Sequence, residues 1–296
     1  MTYDITHTTT YDYSDPVSLS HHTLRLHPRD SARQHCRQSE IKIRPHAGVM
    51  QSHVDYFGNR MTFATVEGPH RKMVATARSR VTVQAPAWPE PADTSKWEAV
   101  RDFTLSYKAD EILEAREFVY SSPLIPKGVE FAEYAASSFT PRRAVLEAVL
   151  ELTDRLHHDF KFDSKATNVA TPLEEVLKLR RGVCQDFAQL EVAFLRTMGI
   201  PARYVSGYLE TDPPPGKPRL VGADASHAWT SFFCPGTGWI DVDPTNNVLP
   251  STRHITIAWG RDYSDVSPVR GVILGSGEHS MKVAVDVIPS PEGEKR

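Results

Sequence analysis

A cysteine at the start of a predicted helix is the first residue that could carry covalent chemistry. Cys184 follows Gly182, which ends one helical stretch, and it occupies the first turn of the next. Unpaired backbone N–H groups and the positive end of the helix dipole meet at such a position. Both favour the thiolate, which is the nucleophilic form of cysteine. An isolated cysteine is more often a small buried side chain, so the interpretation depends on its possible partners.

A histidine and two carboxylates supply those partners. His227 lies near the start of one alternating stretch, and Asp241 and Asp243 lie in the next. A thiol enzyme needs a base that takes the thiol proton and returns it to the leaving group. It also needs a third group that fixes the tautomer and the orientation of the imidazole. The residue types therefore indicate a cysteine enzyme, with either aspartate as the third group.

The two alternating stretches must pair in one register for the imidazole and the Asp243 carboxylate to share a face. A four-residue turn would pair Cys234 with Trp239, and His227 and Asp243 would then point to opposite faces. A five-residue connection would pair Phe233 with Trp239. His227 and Asp243 would then be diagonal neighbours, about 7–8 Å apart by backbone. Because the catalytic set requires a shared face, we expect the five-residue register or an equivalent bulge.

Alternation of apolar and polar residues predicts strands in both terminal parts of the chain. The N-terminal strands are separated by Gly-, Pro- and Asp-rich turn signals, including one at 67–69, and this spacing is typical of an antiparallel β-sandwich. A proline-rich stretch at 85–91 ends this part. Alternation returns over 203–209, 226–243 and 281–287.

Three helices are predicted between these strands, from the apolar periodicity and from cap residues. They run from Thr140 to about Phe160, from Thr171 to Gly182, and from Cys184 to Gly199. The fold class is therefore α+β. We expect an N-terminal antiparallel β-sandwich domain (1–90), a core of helices packed on an antiparallel sheet (91–260) and a C-terminal β extension (261–296).

Composition limits the classes of function. The 296 residues carry a net charge of −3, which gives no basic surface for nucleic acid or anionic lipid. There is no apolar run of about 18 residues and no secretory signal, so no membrane partner is expected. Three cysteines are too few for a disulfide framework and indicate a reducing, cytoplasmic setting.

Metal and cofactor motifs are missing from the sequence. The histidine pairs His21-His22 and His157-His158 diverge on a strand or a helix and have no cysteine or carboxylate at ligand spacing. No phosphate-binding loop or dinucleotide fingerprint is present. We therefore expect no metal and no cofactor.

Four stretches of the chain together resemble the bacterial transglutaminase-like superfamily, whose members look like papain-type thiol enzymes. The stretches are Gly182–Ala188, Gly199–Tyr208, His227–Trp229 and Gly238–Asn246. The β-rich flanks, with Asp55–Asn59 and Arg261–Asp265, are similar to those of one bacterial subgroup. The resemblance implies a transglutaminase-like core after the β-sandwich, with Cys184 as the nucleophile, His227 as the base and Asp243 rather than Asp241 as the acid.

Other residues near these motifs are weaker candidates. The backbone N–H of Cys184 is the first candidate for an oxyanion hole, and the Gln185 amide is a second. Tyr208, Asp224 and Trp229 are possible supporting residues, although packing and turn formation explain them as well. Trp229 and Trp239 are also candidates for the walls of a substrate tunnel.

The expected activity is acyl transfer through a Cys184 thioester, with hydrolysis of a peptide, isopeptide or other amide bond. The partner would be a peptide or protein substrate. Three alternatives remain open: a non-catalytic peptide-binding or assembly module on the same fold, a protein-glutamine amine acyltransferase, and an arylamine-type acetyltransferase.

Overall fold

The computed structural model describes residues 1–106, 110–212 and 225–290, with backbone alone for 110–112 and 225. The strands are β1 (Thr2–Leu24), β2 (Gln34–Arg44), β3 (Val49–Val54), β4 (Arg60–Val83), β5 (Lys161–Phe162), β6 (Arg181–Gly182), β7 (Ala202–Leu209), β8 (Ala225–Cys234), β9 (Gly238–Val242), β10 (His254–Gly260), β11 (Val269–Leu274) and β12 (His279–Pro289). The helices are α1 (Trp97–Leu105), α2 (Asp110–Arg116), α3 (Val129–Ala136), α4 (Val145–Asp159), α5 (Leu173–Leu179), α6 (Cys184–Thr197) and α7 (Tyr263–Val266). Within the described ranges, none of the helices has the length and apolar character of a transmembrane span.

Six antiparallel strands form the first sheet, here called the flanking sheet: β1, β2, β3, β4, β11 and β12. The long strands β1 and β4 pair along most of their lengths, with register shifts in β1 between Asp12 and Val17 and between Val17 and Leu19. One buried apolar cluster takes residues from both halves of β4, including Val66 and Met73. The sandwich-like core of this region therefore comes from one bent sheet. The fold class is α+β, as expected.

The turn predicted at 67–69 is wrong, because these residues lie inside β4. Gly68 has a φ of +89°, a conformation that glycine adopts without strain. The strand therefore continues through the glycine, and the irregularity is absorbed by the register shift opposite Val17. A Gly-Pro pair marks a bend in this strand, not its end.

A four-stranded antiparallel sheet, here called the core sheet, has the order β10-β7-β8-β9. Phe233 is paired with Trp239, so β8 and β9 adopt the predicted five-residue register. One end of the flanking sheet packs on the core sheet through a buried apolar cluster. This cluster includes Tyr3 of β1, Val285 of β12 and Tyr204 of β7. The two sheets therefore face each other across the region that contains Cys184.

The helix boundaries differ from the predicted ones for local reasons. The helix expected from Thr140 begins at Val145, because Arg142 has a φ of 63° and the preceding residues form a turn. The helix expected to reach Gly182 ends at Leu179, where Arg180 adopts a left-handed conformation with a φ of 50°. Helix α6 begins at Cys184, as predicted, and ends at Thr197.

Candidate active site

The position of Cys184 is fixed by the residues that begin α6. Asp186 in the first turn accepts a hydrogen bond from the Val183 backbone N–H at 2.8 Å and one from the Thr167 hydroxyl at 2.6 Å. Gly182 has no room for a side chain, since a Cβ there would lie 2.4 Å from the Asp186 carboxylate. The chain therefore enters the helix in one conformation, which places the half-buried thiol at the helix N-terminus.

His227 lies next to the Asp243 carboxylate and lines the cavity that contains the Cys184 thiol. Its Nε2 lies 2.7 Å from Oδ2 of Asp243, and the ring lines the same cavity as Cys184, whose thiol helps to raise the pKa of the imidazole. Because Nε2 is occupied by the carboxylate, Nδ1 is the nitrogen available to the thiol. The structure therefore brings Cys184, His227 and Asp243 together in the order that sequence reasoning expected.

Asp243 is fully buried, and five hydrogen bonds satisfy its carboxylate. Oδ2 accepts from His227, from Nε2 of His254 at 3.1 Å and from the Asn246 side-chain amide at 2.8 Å. Oδ1 accepts from the backbone N–H groups of Thr245 at 3.0 Å and Asn246 at 3.2 Å. Burial alone raises the pKa of Asp243, but the bonds from the two histidines and the amide outweigh it and hold the pKa well below its usual range.

The same contacts favour a protonated imidazole. Burial lowers the pKa of His227, and the hydrogen bonds with Asp243 and Cys184 act in the opposite direction. The second effect is larger and raises the pKa of His227 to about 10. An imidazolium held beside a thiol can supply a proton to a departing amine.

His254 was missed by sequence reasoning. The Ser251 backbone N–H donates to its Nδ1 at 3.3 Å, so the ring hydrogen is on Nε2 and is donated to Asp243. In the core sheet, β10 carries His254 and is separated from β9 by two strands. The contact is made by the segment after β9, so no strand-pairing argument could have found it.

Trp229 lies behind the two imidazoles. Its fully buried ring makes an edge contact with His254 at 5.4 Å between centroids and lies 6.2 Å from His227. Gly207 leaves room for it, because a Cβ there would lie 2.4 Å from the indole. Trp229 is thus a packing support for the histidines, and the expectation that it walls a tunnel is not met, since it does not line the cavity beside Cys184.

The remaining candidates are distributed over several places. Gln185 is half-buried and lines the cavity beside Cys184. The Tyr208 hydroxyl bonds to Nδ1 of His7 on β1 at 2.9 Å, so it links the two sheets. Asp224 lies outside the described residues.

The rival acid and the second tryptophan lie away from the thiol. The Arg33 guanidinium pairs with the Asp241 carboxylate at 3.0 Å. Trp239 stacks with the buried Arg203, whose guanidinium carbon lies 4.0 Å from the ring centroid. Neither Asp241 nor Trp239 lines the cavity at Cys184, so Trp239 does not form part of its wall.

A cavity of about 630 Å³ lies over Cys184 between the two sheets. One side is formed by the start of α6 and by β8, and it includes Gln185 and His227. The opposite side is formed by the flanking sheet, with His7 of β1 and Val283 of β12 among its residues. The volume is within the usual range of about 300–1,000 Å³ for ligand pockets.

His227, Asp243 and His254 also form a possible donor set for a metal, with ligand atoms within 4.8 Å of one another. Both Nε2 atoms already lie at hydrogen-bond distance from the same carboxylate oxygen. Protons therefore satisfy this group, and the arrangement needs no metal to explain it.

Comparisons with known proteins agree with this architecture. Residues 3–82 match the bacterial transglutaminase-like N-terminal region, and residues 132–244 match the transglutaminase-like superfamily. A solved structure of a "Putative Cysteine Protease" from Cytophaga hutchinsonii has a TM-score of 0.75 at 22% identity, covering 98% of this chain and 91% of that one. At this identity the likeness shows the fold.

Two sequence relatives are informative. A Mycobacterium bovis protein, whose name states no function, is 40% identical over 97% of this chain and 92% of its own length. A Pseudomonas aeruginosa protein-glutamine gamma-glutamyltransferase is 31% identical over 42% of this chain and 19% of its own length. With its two family matches, its full-length relative and its shared fold, the chain belongs to the transglutaminase-like superfamily.

Proposed function

We propose that this protein is a cysteine-dependent acyl-transfer enzyme that hydrolyses peptide, isopeptide or other amide bonds. The observation that carries the proposal is the placement of the His227 imidazole between the Cys184 thiol and the buried Asp243 carboxylate. The substrate would be a peptide or protein. The free state of all three cysteines is in keeping with a cytoplasmic location.

In the proposed reaction, the Cys184 sulfur attacks the amide carbonyl carbon and forms a tetrahedral intermediate. His227 donates a proton to the amide nitrogen, the C–N bond breaks, and a thioester remains on Cys184. A water molecule then attacks the thioester while His227 removes its proton. The C–S bond breaks, the acid product leaves, and the Cys184 thiolate remains beside the protonated His227, which is the state that began the cycle.

The first turn of α6 would stabilise the negative charge of the intermediate. The helix itself offers no acceptor for the N–H groups of its first residues, Cys184 and Gln185. Donors placed beside a nucleophile can bind an oxyanion, and loss of one such donor costs about 100- to 1,000-fold in rate. We assign this role first to the backbone N–H of Cys184 and second to the Gln185 side chain.

Transfer to an amine is the second candidate, and the Pseudomonas aeruginosa relative favours it by its name. A primary amine would replace water in the second step, and the product would be a new amide. Adding a primary amine to a working assay separates the two. Hydrolysis predicts an unchanged acid product, and transfer predicts an amide in its place.

The pH dependence of Cys184 alkylation tests whether the thiol is activated. We expect iodoacetamide to label Cys184 rapidly at pH 6–7, and Cys36 in the same molecule serves as the reference thiol. The His227→Ala variant should lose the rapid labelling at Cys184 while Cys36 is unchanged. Equal pH profiles for the two thiols would contradict the proposal and favour a binding module.

A further inference from the structure

We infer that the flanking sheet, and β12 in particular, forms an acyl-group pocket beside Cys184 that selects substrates with an uncharged, apolar group next to the reacting carbonyl. The inference rests on the proposed function and adds the substrate class to it. It follows from the charge of the cavity, from the exposed side chains of β12 and from the position of both relative to the thiol.

The cavity wall carries no Asp, Glu, Lys or Arg side chain among the described residues. Its ionisable side chains, apart from Cys184, are His227, the tyrosines Tyr204 and Tyr263, and His7. His7 is bonded through Nε2 to the Thr9 hydroxyl at 2.9 Å and through Nδ1 to the Tyr208 hydroxyl at 2.9 Å. Burial lowers the pKa of His7 to about 4, so this ring is neutral at physiological pH.

Among the described residues of this wall, a charged substrate group would therefore find no counter-charge for the hydration that it loses. Burial of an unpaired charge is strongly unfavourable, whereas burial of apolar surface is favourable. The described part of the wall therefore favours an uncharged group over a group of either charge. His227 is excepted, because it is already paired with Asp243.

Alternate residues of β12 supply the apolar face. Met281, Val283 and Val285 line the cavity, while Lys282 and Asp286 occupy alternate positions of the strand. Val285 is buried, but Met281 is 55% exposed and Val283 is 46% exposed. A row of exposed apolar side chains that runs into a pocket is typical of a ligand-binding surface.

The occupant we assign to this face is the acyl part of the substrate. The row leads from solvent, at Met281, to the buried Val285, and the same cavity contains the Cys184 thiol. A group bound along the row would therefore be covalently continuous with the carbonyl that the thiol attacks. A second copy of the chain on this face is the competing occupant, and the experiment below separates the two.

Methanethiosulfonate reagents test the inference without requiring turnover, since each converts a thiol to a mixed disulfide and releases methanesulfinate. The butyl, trimethylammonioethyl and sulfonatoethyl reagents are similar in length and differ in charge. We expect the butyl reagent to modify Cys184 at least tenfold faster than either charged reagent, after each rate is divided by that for Cys36. Equal normalised rates would overturn the inference.

Substitutions on β12 and β11 locate the selectivity. Val283→Glu should reduce the normalised butyl rate about tenfold and favour the cationic over the anionic reagent, whereas Val283→Leu should retain the wild-type order. Val272→Glu is the matched control, because Val272 is 70% exposed on β11 and does not line the cavity. An unchanged order in a folded Val283→Glu variant would overturn the assignment to β12.

Two further outcomes separate the acyl-group pocket from a second copy of the chain and from the proposed function. Rates that fall as protein concentration rises would show that a second copy covers this face, and would overturn the inference. Charge selectivity without an acyl-enzyme from any apolar amide would contradict the proposed function and leave the pocket chemistry standing. Turnover of an apolar amide without charge selectivity would support the proposed function and overturn the inference about the pocket.

Discussion

The Nε2 atom of His227 lies 2.7 Å from Oδ2 of Asp243, and both side chains are buried. A buried imidazole alone would be neutral, because burial lowers its pKa. The carboxylate reverses this effect and, together with the thiol, raises the pKa of His227 to about 10. At neutral pH His227 therefore carries a proton beside Cys184. A departing amine needs a proton, and His227 can donate it.

Asp243 and Asp241 should differ sharply in their contributions to activity. Asp243→Asn replaces the group that orients His227, and comparable changes in other triads lower kcat by about 10,000-fold. Asp241→Asn breaks the ion pair with Arg33 away from the thiol, so kcat should stay within about twofold. Steady-state kinetics on the two variants make the comparison. A similar loss in both would contradict the assignment of the acid.

Amide hydrolysis should decline at alkaline pH as His227 loses its proton. With a pKa of about 10 for His227, kcat/KM for an amide should be level near pH 8–9 and fall above about pH 10. An activated ester with a good leaving group needs no proton and serves as the control. If amide and ester lost activity together while circular dichroism showed a folded protein, His227 would not be the proton donor.

His254 should act as a positioning residue for Asp243. His254→Ala removes one of the three donors to Oδ2 of Asp243, and the loss of a hydrogen bond to a charged group costs about 1.5–3 kcal/mol. We expect a lower free energy of unfolding, a lower kcat and a smaller change in KM. His254→Gln can restore a donor and should recover part of kcat. Urea denaturation and kinetics provide both readouts.

The exposed His46 supplies the control for that experiment. His46→Ala should leave stability and kcat unchanged. If His254→Ala lowered stability and left kcat at the wild-type value, His254 would have a structural role alone.

The free energy of unfolding should fall as pH rises, because the buried Glu191 holds a proton in the folded state. Burial raises the pKa of Glu191 to about 8, against partial opposition from hydrogen bonds with Thr153 and Thr230. The folded state therefore holds a proton that the unfolded state releases near its ordinary pKa of 4.5. Between these two pH values, stability falls by about 1.4 kcal/mol per pH unit.

The Glu191→Gln variant cannot ionise and should lack this loss. Its free energy of unfolding in urea should match that of the wild type near pH 4.5 and exceed it increasingly up to pH 8. Glu175→Gln, at an exposed position on α5, is the control and should follow the wild-type profile. Parallel profiles for Glu191→Gln and the wild type would mean that Glu191 is ionised in the fold.

The sequence predicted those parts of the site that depend on local signals. The start of α6 at Cys184 follows from a glycine and the first-turn residues. The register of β8 with β9 follows from side-chain parity together with the requirement that His227 and Asp243 share a face, and Phe233 does pair with Trp239. Each of these features involves residues close together in the chain.

The features that sequence reasoning missed depend on distant pairings. Val285 of β12 pairs with His7 of β1, and this brings both residues to the cavity wall although they lie at opposite ends of the chain. His254 reaches Asp243 across the end of the core sheet. The turn expected at 67–69 was wrong for a different reason, because Gly68 permits a bend inside a continuous strand.

A thioester on Cys184 is the central claim, and its mass is the most direct test. The protein is mixed with an amide of an apolar acyl group, quenched in acid during turnover, digested and examined by mass spectrometry. We predict that the acyl mass is found on the peptide that contains Cys184 and is absent from the Cys184→Ala variant. Turnover of the amide with no acyl mass on that peptide, or with unchanged rate in Cys184→Ala, would contradict the account.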